Sequence, residues 1–336
     1  MRKSLGLLFA LVALSASAYY ASPTGPGSSF YATDAYPGFD DLDAQLEKER
    51  KEPKWFSWWN GPEEDNAKEQ LAYCQKLIAE DDSDAIDELD ALVREWPTSP
   101  EAPEAQRRLA DLLMLDGEYE EAYEAYRYLI DFYPLQCDYN TVSDKLYELA
   151  QKLLEVGKRA LFIRFNNTVD VRRYFEGAVL RAPGAKWASK ALLIIGDLRI
   201  EEEAYEDALK VYENLRNLHY KSPEAKTAVL REAEVRMQLI DDFGYNRERV
   251  GDTVKFLEMA LREVDENNRG KLNEHLSKLN RYLEDEEYRS AKFYDSRMRT
   301  KRSAINAYRR FLSNYPDGEH AEKVRSRLKE LKDEMK

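Results

Sequence analysis

The hydrophobic and polar positions of the chain form a repeating pattern of paired amphipathic helices. The clearest pair covers residues 101–134, where Gly117 separates two segments with helical spacing and Pro134 follows the second. The apolar positions that mark the two helices are Leu109, Ala110, Ala122, Tyr126 and Leu129. Small residues at the crossing predict that the helices approach closely. A pair of this size cannot bury its apolar face alone, so it must stack on further copies.

Further copies precede and follow this pair. One begins near Asn66 and ends at Pro97. In the next copy we expect a first helix over 143–156, ended by Gly157, and an insertion over 158–168 before the second helix. The spacing resembles the period of about 34 residues of tetratricopeptide repeats. We therefore expect an all-α, right-handed solenoid of tetratricopeptide-like helical hairpins.

The C-terminal half continues the pattern with longer connections. A fourth copy is centred on Gly196, and a fifth opens at Ser222, with a loop expected over 241–252. The segment 267–270 predicts a break before a long helix. The final segment, about 318–334, is highly charged with a narrow apolar stripe, which predicts a solvent-facing capping helix.

The composition supports an all-α chain with a sizeable core. Of the 336 residues, 43% are hydrophobic and 34% are charged, so the chain holds enough apolar material to fold. With only 14 Gly and 12 Pro, the long segments rich in Ala, Leu, Glu, Lys and Arg favour helices. The formal net charge of −13 argues against nucleic acid as a partner, because phosphate binding needs concentrated Lys and Arg.

Residues 1–18 have the pattern of a secretory signal peptide. Arg2 and Lys3 precede a short apolar run over 5–14, and the small residues 16–18 form a cleavage site. We expect export by a cleaved signal peptide, with an uncleaved N-terminal anchor as the alternative. No later apolar stretch approaches about 18 residues, so no transmembrane helix is expected after cleavage.

Residues 19–65 predict a flexible leader, rich first in Gly, Pro, Ser and Tyr and then in charge. Near its end, large aromatic residues cluster within five positions. They are Trp55, Phe56, Trp58 and Trp59. Two interpretations stay open. The cluster packs on the first hairpin as an N-terminal cap, or it contacts a membrane surface or a partner protein.

The sequence carries no recognisable catalytic or cofactor motif. The three histidines, His219, His275 and His320, are not at metal-ligand spacing from Cys or carboxylates, and no phosphate loop, zinc-protease motif or nucleophile elbow is present. We expect no catalytic residue, no cofactor and no metal ion. Cys74 and Cys137 predict unpaired thiols, because stacked helices lie about 8–10 Å apart and a disulfide needs a Cα separation below about 7 Å.

Stacked hairpins of this kind curve, and the first helix of each hairpin lines the hollow side. This groove predicts a site for an extended peptide or for a helix of a partner. The residues that we place there are Gln70, Leu77, Arg107, Asp111, Met114, Tyr147, Gln151 and Leu154. Each of these residues also fits an ordinary surface position.

Three stretches carry a resemblance to a known family. The first two are the segment 99–102 with the later Tyr133-Pro134, and the segment 181–192. The third and most specific is a C-terminal run that includes Glu287, Tyr288, Ala291, Tyr294, Ala304, Tyr308, Phe311, Tyr315 and Pro316. On these residues the chain from about Asn66 resembles the BamD-type lipoproteins of the β-barrel assembly machinery.

The resemblance implies a periplasmic scaffold at the inner face of the outer membrane, a monomer within a larger complex. The N-terminal repeats, 66–183, would face unfolded outer-membrane proteins. The C-terminal repeats lie in 184–336, and residues about 224–316 would face the BamA-like insertase that forms the barrel.

One departure from the family concerns attachment. The family's lipid-bearing Cys is missing after the apolar run. Peripheral outer-membrane association would then rest on protein contacts or on the aromatic cluster. The alternative is a soluble periplasmic adaptor for cell-envelope or division machinery.

Overall fold

The computed structural model describes residues 61–160, 168–297 and 301–335. Over these ranges the chain folds into thirteen α-helices and no strand. In chain order the helices are α1 (Ala67–Glu80), α2 (Asp84–Glu95), α3 (Ala102–Asp116), α4 (Tyr119–Phe132), α5 (Tyr139–Ala160), α6 (Thr168–Arg181), α7 (Ala188–Glu201), α8 (Tyr205–Leu218), α9 (Pro223–Phe243), α10 (Arg247–Glu263), α11 (Glu266–Arg297), α12 (Lys301–Asn314) and α13 (Ala321–Asp333). The expected all-α solenoid of hairpins is confirmed. The expected signal peptide, most of the leader and the aromatic cluster at 55–59 lie outside the described residues.

Consecutive helices pair into hairpins, and neighbouring hairpins pack on each other within two stretches of the chain. Contacts join each helix from α1 to α7 to its neighbour in sequence, and the same holds from α9 to α13. We term the first and second helix of a hairpin helix A and helix B. The chain divides into an N-terminal unit, Met1–Asn214, and a C-terminal unit, Leu215–Lys336, whereas the sequence suggested a division after residue 183. No helix of the described ranges has the length and apolar content needed to cross a bilayer.

Each hairpin of the N-terminal unit has a small buried residue on helix A and a bulkier buried residue on helix B. The helix A residues are Cys74, Ala110, Ala150 and Gly196, and their buried helix B counterparts are Leu89, Tyr126, Phe175 and Tyr212. At Gly196 the two helices approach closely, because a Cβ atom there would lie 2.3 Å from the ring of Tyr212. Gly196 therefore sets the approach of α7 and α8.

The predicted helix ends at Gly117 and Ser222 are confirmed. Gly117 follows α3 with φ at 84°, a left-handed conformation that glycine adopts without steric cost. Ser222 caps α9, since its hydroxyl oxygen accepts the N–H of Ala225 at 3.2 Å. Pro223 occupies the first turn, where its missing N–H has no helical partner to lose.

The prediction that Gly157 ends a helix is wrong. Helix α5 continues through this residue to Ala160. Gly157 is buried, and a Cβ atom there would meet Val171 of α6 at 3.6 Å. The residue therefore lies at a helix crossing rather than at a helix end, and the packing of α6 offsets the low helix propensity of glycine.

Two predicted interruptions in the C-terminal unit are also wrong. The loop expected over 241–252 shrinks to three residues, because α9 and α10 extend into it from both sides. Asn246 caps α10, with its side-chain oxygen accepting the N–H of Glu248 at 2.8 Å. The break expected at 267–270 is absent, since α11 begins at Glu266 and its apolar stripe packs on α10. Tertiary packing thus overrides the low helix propensity of Asn and Gly.

The charged final segment is confirmed as a helix with a narrow apolar stripe. In α13 only one face is buried, through Ala321, Val324, Leu328 and Leu331. Val324, Leu328 and Leu331 join a core cluster with Tyr308 and Phe311 of α12.

The helix crossing at Gly196 predicts a specific cost of substitution. Gly196→Ala should lower the free energy of unfolding by about 1–3 kcal/mol, the usual cost of overpacking a core, because the new methyl group would overlap the Tyr212 ring. Gly270→Ala is the matched control, since no atom lies within 4 Å of its Cβ position. That change should instead add about 0.5–1 kcal/mol through helix propensity. Urea unfolding followed by circular dichroism measures both, and equal effects would contradict the crossing.

Candidate protein-binding surface

Two glutamines align the helix A positions of the first two hairpins. Gln70 of α1 donates from Nε2 to the carbonyl oxygen of Glu88 at 3.3 Å, and Gln106 of α3 donates from Nε2 to that of Ala125 at 2.8 Å. Both side chains are buried and join helix A to the backbone of helix B. Gln70 of α1 is therefore equivalent to Gln106 of α3, and the residue after Gln70 is equivalent to Arg107.

Both residues of α1 that were predicted to line the groove lie inside the packing. The Gln70 amide bonds to helix B, and Leu77 is buried. The positions of α1 that are equivalent to Arg107, Asp111 and Met114 are Leu71, Gln75 and Ile78. The alignment through the glutamines thus moves the contribution of α1 to Gln75, which is exposed, and Ile78, which is half-buried. The matching glutamines Gln70 and Gln106 could have aligned the two helices from the sequence. The prediction instead aligned them by their apolar residues alone.

One apolar side chain from each helix A of the N-terminal unit occupies an equivalent position. These residues, termed the apolar row, are Ile78 on α1, Met114 on α3, Leu154 on α5 and Ile200 on α7. All four are half-buried, so each keeps part of its apolar surface in water. Helices α3 and α5 lie side by side here, because Nζ of Lys145 on α5 is 3.7 Å from Sδ of Met114.

The aspartates beside the apolar row serve the fold. Oδ1 of Asp111 accepts the hydroxyl of Tyr126 at 2.5 Å, and Oδ1 of Asp197 accepts that of Tyr212 at 2.8 Å. Burial and Asp111 raise the pKa of Tyr126, so its hydroxyl remains a donor. The equivalent positions in the other two hairpins hold Gln75 and Gln151, and the helix B positions equivalent to Tyr126 and Tyr212 hold Leu89 and Phe175. A carboxylate therefore occurs where helix B supplies a hydroxyl to bind it.

The remaining predicted residues lie at the surface of α3 and α5. Arg107 and Gln151 are exposed and Tyr147 is half-buried. Nη1 of Arg107 pairs with Asp111 at 2.7 Å, so its charge is partly compensated. The ring of Tyr147 stacks on Trp187 with the ring centroids 4.8 Å apart, which fixes its orientation. The predicted residues that these two neighbouring helices carry are Arg107, Asp111, Met114, Tyr147, Gln151 and Leu154.

Sequence comparison identifies the repeat. A family profile described as tetratricopeptide repeat matches residues 68–136, and a second profile with the same description matches residues 287–318. These two segments of the chain therefore match tetratricopeptide repeats. Repeats of this type present extended surfaces on which other proteins bind. No curated protein matches the sequence.

Solved tetratricopeptide-repeat structures resemble the chain at low similarity. A repeat protein from Parabacteroides merdae is 15% identical, with 79% of this chain and 98% of that chain covered and a TM-score of 0.29. PilW, a type IV pilus biogenesis factor, is 14% identical, with 77% and 97% covered and a TM-score of 0.29. The repeat domain of P58(IPK) is 12% identical, with 88% and 73% covered and a TM-score of 0.33. At these scores the similarity carries no argument about function.

A buried group of charges forms ion pairs within the fold between α6 and α7. Glu176 of α6 pairs with Arg172 at 2.7 Å and with Arg199 of α7 at 2.9 Å, and Arg172 also pairs with Glu202 at 2.9 Å. Burial raises the pKa of Glu176, while the two arginines oppose that shift. Two cations and two carboxylates thus compensate one another between α6 and α7. Over the described ranges, no group of three His, Cys, Asp or Glu residues could hold a metal ion.

The hydroxyl–carboxylate contact beside the apolar row predicts a stability effect. Tyr126→Phe should lower the free energy of unfolding by about 1.5–3 kcal/mol, the range for a hydrogen bond to a charged group, because Asp111 loses its buried donor. Tyr119→Phe, on the same helix, is the control and should change stability by less than about 0.5 kcal/mol. Thermal and urea unfolding would test the pair. A Tyr126→Phe protein as stable as the wild type would show that the contact does not hold α3 to α4.

Proposed function

We propose that this chain is a non-catalytic periplasmic scaffold of the BamD type, which binds unfolded outer-membrane proteins and a barrel insertase during outer-membrane assembly. Two lines of support come from the repeats. The second matched segment, 287–318, coincides with the C-terminal run on which the BamD resemblance rests. Tetratricopeptide hairpins leave one helix face free for protein partners.

The observation that carries the proposal is the apolar row. Its four side chains are half-buried in the free chain, although aliphatic and thioether side chains gain most when fully removed from water. An extended polypeptide places successive side chains on opposite faces, so a strand of an outer-membrane protein presents one apolar face. That face matches the row in chemistry. The carboxylates of Asp111 and Asp197 beside the row already accept hydrogen bonds from tyrosine hydroxyls within the fold.

Localisation follows from the proposed export signal at residues 1–18. The scaffold would lie at the inner face of the outer membrane, held by its protein partners or by the aromatic cluster Trp55, Phe56, Trp58 and Trp59.

A second candidate is a soluble periplasmic adaptor for cell-envelope or division machinery. The positions of the two cysteines favour it, since Cys74 lies on α1 and Cys137 between α4 and α5. Neither follows the apolar run at 5–14, where a lipid-bearing cysteine would stand in the family that the chain resembles.

The apolar row can be tested with a matched pair of double variants in the full chain. In Met114→Ser/Leu154→Ser the row loses its two central members. In the control, Leu115→Ser/Val156→Ser, two exposed apolar residues of the same helices but outside the row are changed. Binding of a urea-unfolded outer-membrane protein should weaken at least about tenfold for the row variant, since each buried side chain contributes about 1.5 kcal/mol or more and 1.4 kcal/mol is tenfold. The control should stay within about twofold.

Affinity capture from envelope extract tests the partner. The wild-type chain should retain a large β-barrel protein with periplasmic domains. Capture of cell-wall enzymes alone, together with release of the chain by osmotic shock, would reject the outer-membrane role in favour of the adaptor. Equal loss of binding in both double variants would reject the apolar row as the contact.

A further inference from the structure

The C-terminal unit differs in charge from the rest of the chain. Residues 1–214 hold 24 Lys and Arg against 41 Asp and Glu, a net charge of −17. Residues 215–336 hold 27 Lys and Arg against 23 Asp and Glu, a net charge of +4. The overall acidity of the chain therefore hides a basic unit.

The excess positive charge is concentrated on one helix. Helix α12 contains four basic residues and no carboxylate. They are Lys301, Arg302, Arg309 and Arg310, and all four are exposed. Arg302 and Arg309 lie two turns apart on one face of α12, about 10 Å along its axis, with the exposed Asn306 between them. Across the described ranges, neither arginine has an ion pair with a carboxylate.

A buried carboxylate of α11 holds two further guanidinium groups, one on α10 and one on α12. Oε1 of Glu287 on α11 pairs with Nε of Arg310 at 2.5 Å, and its Oε2 pairs with Nη2 of Arg247 at 3.0 Å. The Glu287 side chain is 1% exposed, whereas those of Arg310 and Arg247 are 56% and 63% exposed. The buried Glu287 therefore orients the guanidinium groups of Arg247 and Arg310. Both arginine side chains remain largely exposed to solvent. One carboxylate compensates only one of the two positive charges.

We propose that Arg247, Arg302, Arg309 and Arg310, termed the arginine patch, bind a carboxylate-rich segment of a partner protein. This inference rests on the proposed function, and it names the chemistry by which the C-terminal unit recognises its partner. The guanidinium fork matches the two oxygens of a carboxylate, and arginines held in place lose less entropy on binding. Charge complementarity at such a surface also speeds association and excludes basic partners.

The structure favours an acidic polypeptide over an anionic lipid surface. The outward positions of α12 are Arg302, Asn306, Arg309 and Ser313, so this face offers no apolar side chain to insert into a membrane. The whole chain carries a net charge of −13, which opposes approach to an extended anionic surface. A short acidic segment can reach the patch without that penalty.

Two double variants of equal charge separate the patch from general electrostatics. Arg302→Glu/Arg309→Glu reverses two patch residues that form no ion pair with any carboxylate of the described residues, so folding should be retained. Lys323→Glu/Lys329→Glu reverses two exposed lysines on α13 and is the control. The probe is fluorescein-labelled octaglutamate, and its anisotropy is read with the full chain at low and at physiological salt. The patch variant should bind at least tenfold more weakly, the control within twofold, and wild-type binding should fall with salt.

Other outcomes overturn the proposal. Equal loss in both variants would show general electrostatic attraction. Binding of phosphatidylglycerol vesicles without binding of octaglutamate would assign the surface to membrane lipid. If envelope capture retains the barrel protein and Arg302→Glu/Arg309→Glu leaves that capture unchanged, the proposed function stands and the patch fails. If octaglutamate binds at the patch but no barrel protein is captured, the proposed function fails and the patch stands. Matching circular dichroism melts confirm that the variants are folded.

Discussion

The close crossing of helix A and helix B is the constraint on which the rest of the N-terminal unit depends. A bulky side chain of helix B can reach the axis of the hairpin only where helix A carries a small residue, and at Gly196 even a methyl group would meet the Tyr212 ring. Short hairpins of this kind have little core of their own, so they gain stability by packing on their neighbours. The same packing fixes which face of each helix A remains open.

The close crossing also determines which residues stand on the exposed face of helix A. A buried tyrosine must give its hydroxyl a partner, and Asp111 and Asp197 supply one from the next position toward solvent. The C-terminal unit repeats the arrangement, since the hydroxyl of Tyr308 donates to Asp295 at 3.1 Å. These carboxylates stabilise the helix pairs by accepting tyrosine hydroxyls, although their positions in the sequence resemble those of ordinary surface charges. The surface that we propose for a partner in the N-terminal unit is the apolar row.

The sequence predicted the fold well because helical periodicity, Pro stops and caps are local signals. It failed where tertiary packing overrode them. Gly157 was expected to end a helix, but it lies against Val171 at a crossing that no local pattern reveals. The residues predicted on α3 and α5 lie at the surface of two neighbouring helices, and their role in binding stays a prediction. The register of α1 depended on Gln70 bonding to the backbone of α2. The arginine patch could not be predicted from the net charge, because that value averages over both units. Glu287 also joins arginines that are far apart in sequence.

Site-specific photocrosslinking tests most directly whether the open face of helix A holds other polypeptides. A benzophenone amino acid would replace Gln151, which is exposed beside the apolar row on α5, and in a parallel strain Glu213, which is exposed on helix B of the next hairpin. We expect residue 151 to crosslink to newly exported outer-membrane proteins in intact cells and residue 213 not to do so. Crosslinks from residue 213 alone, or none from residue 151, would contradict this expectation.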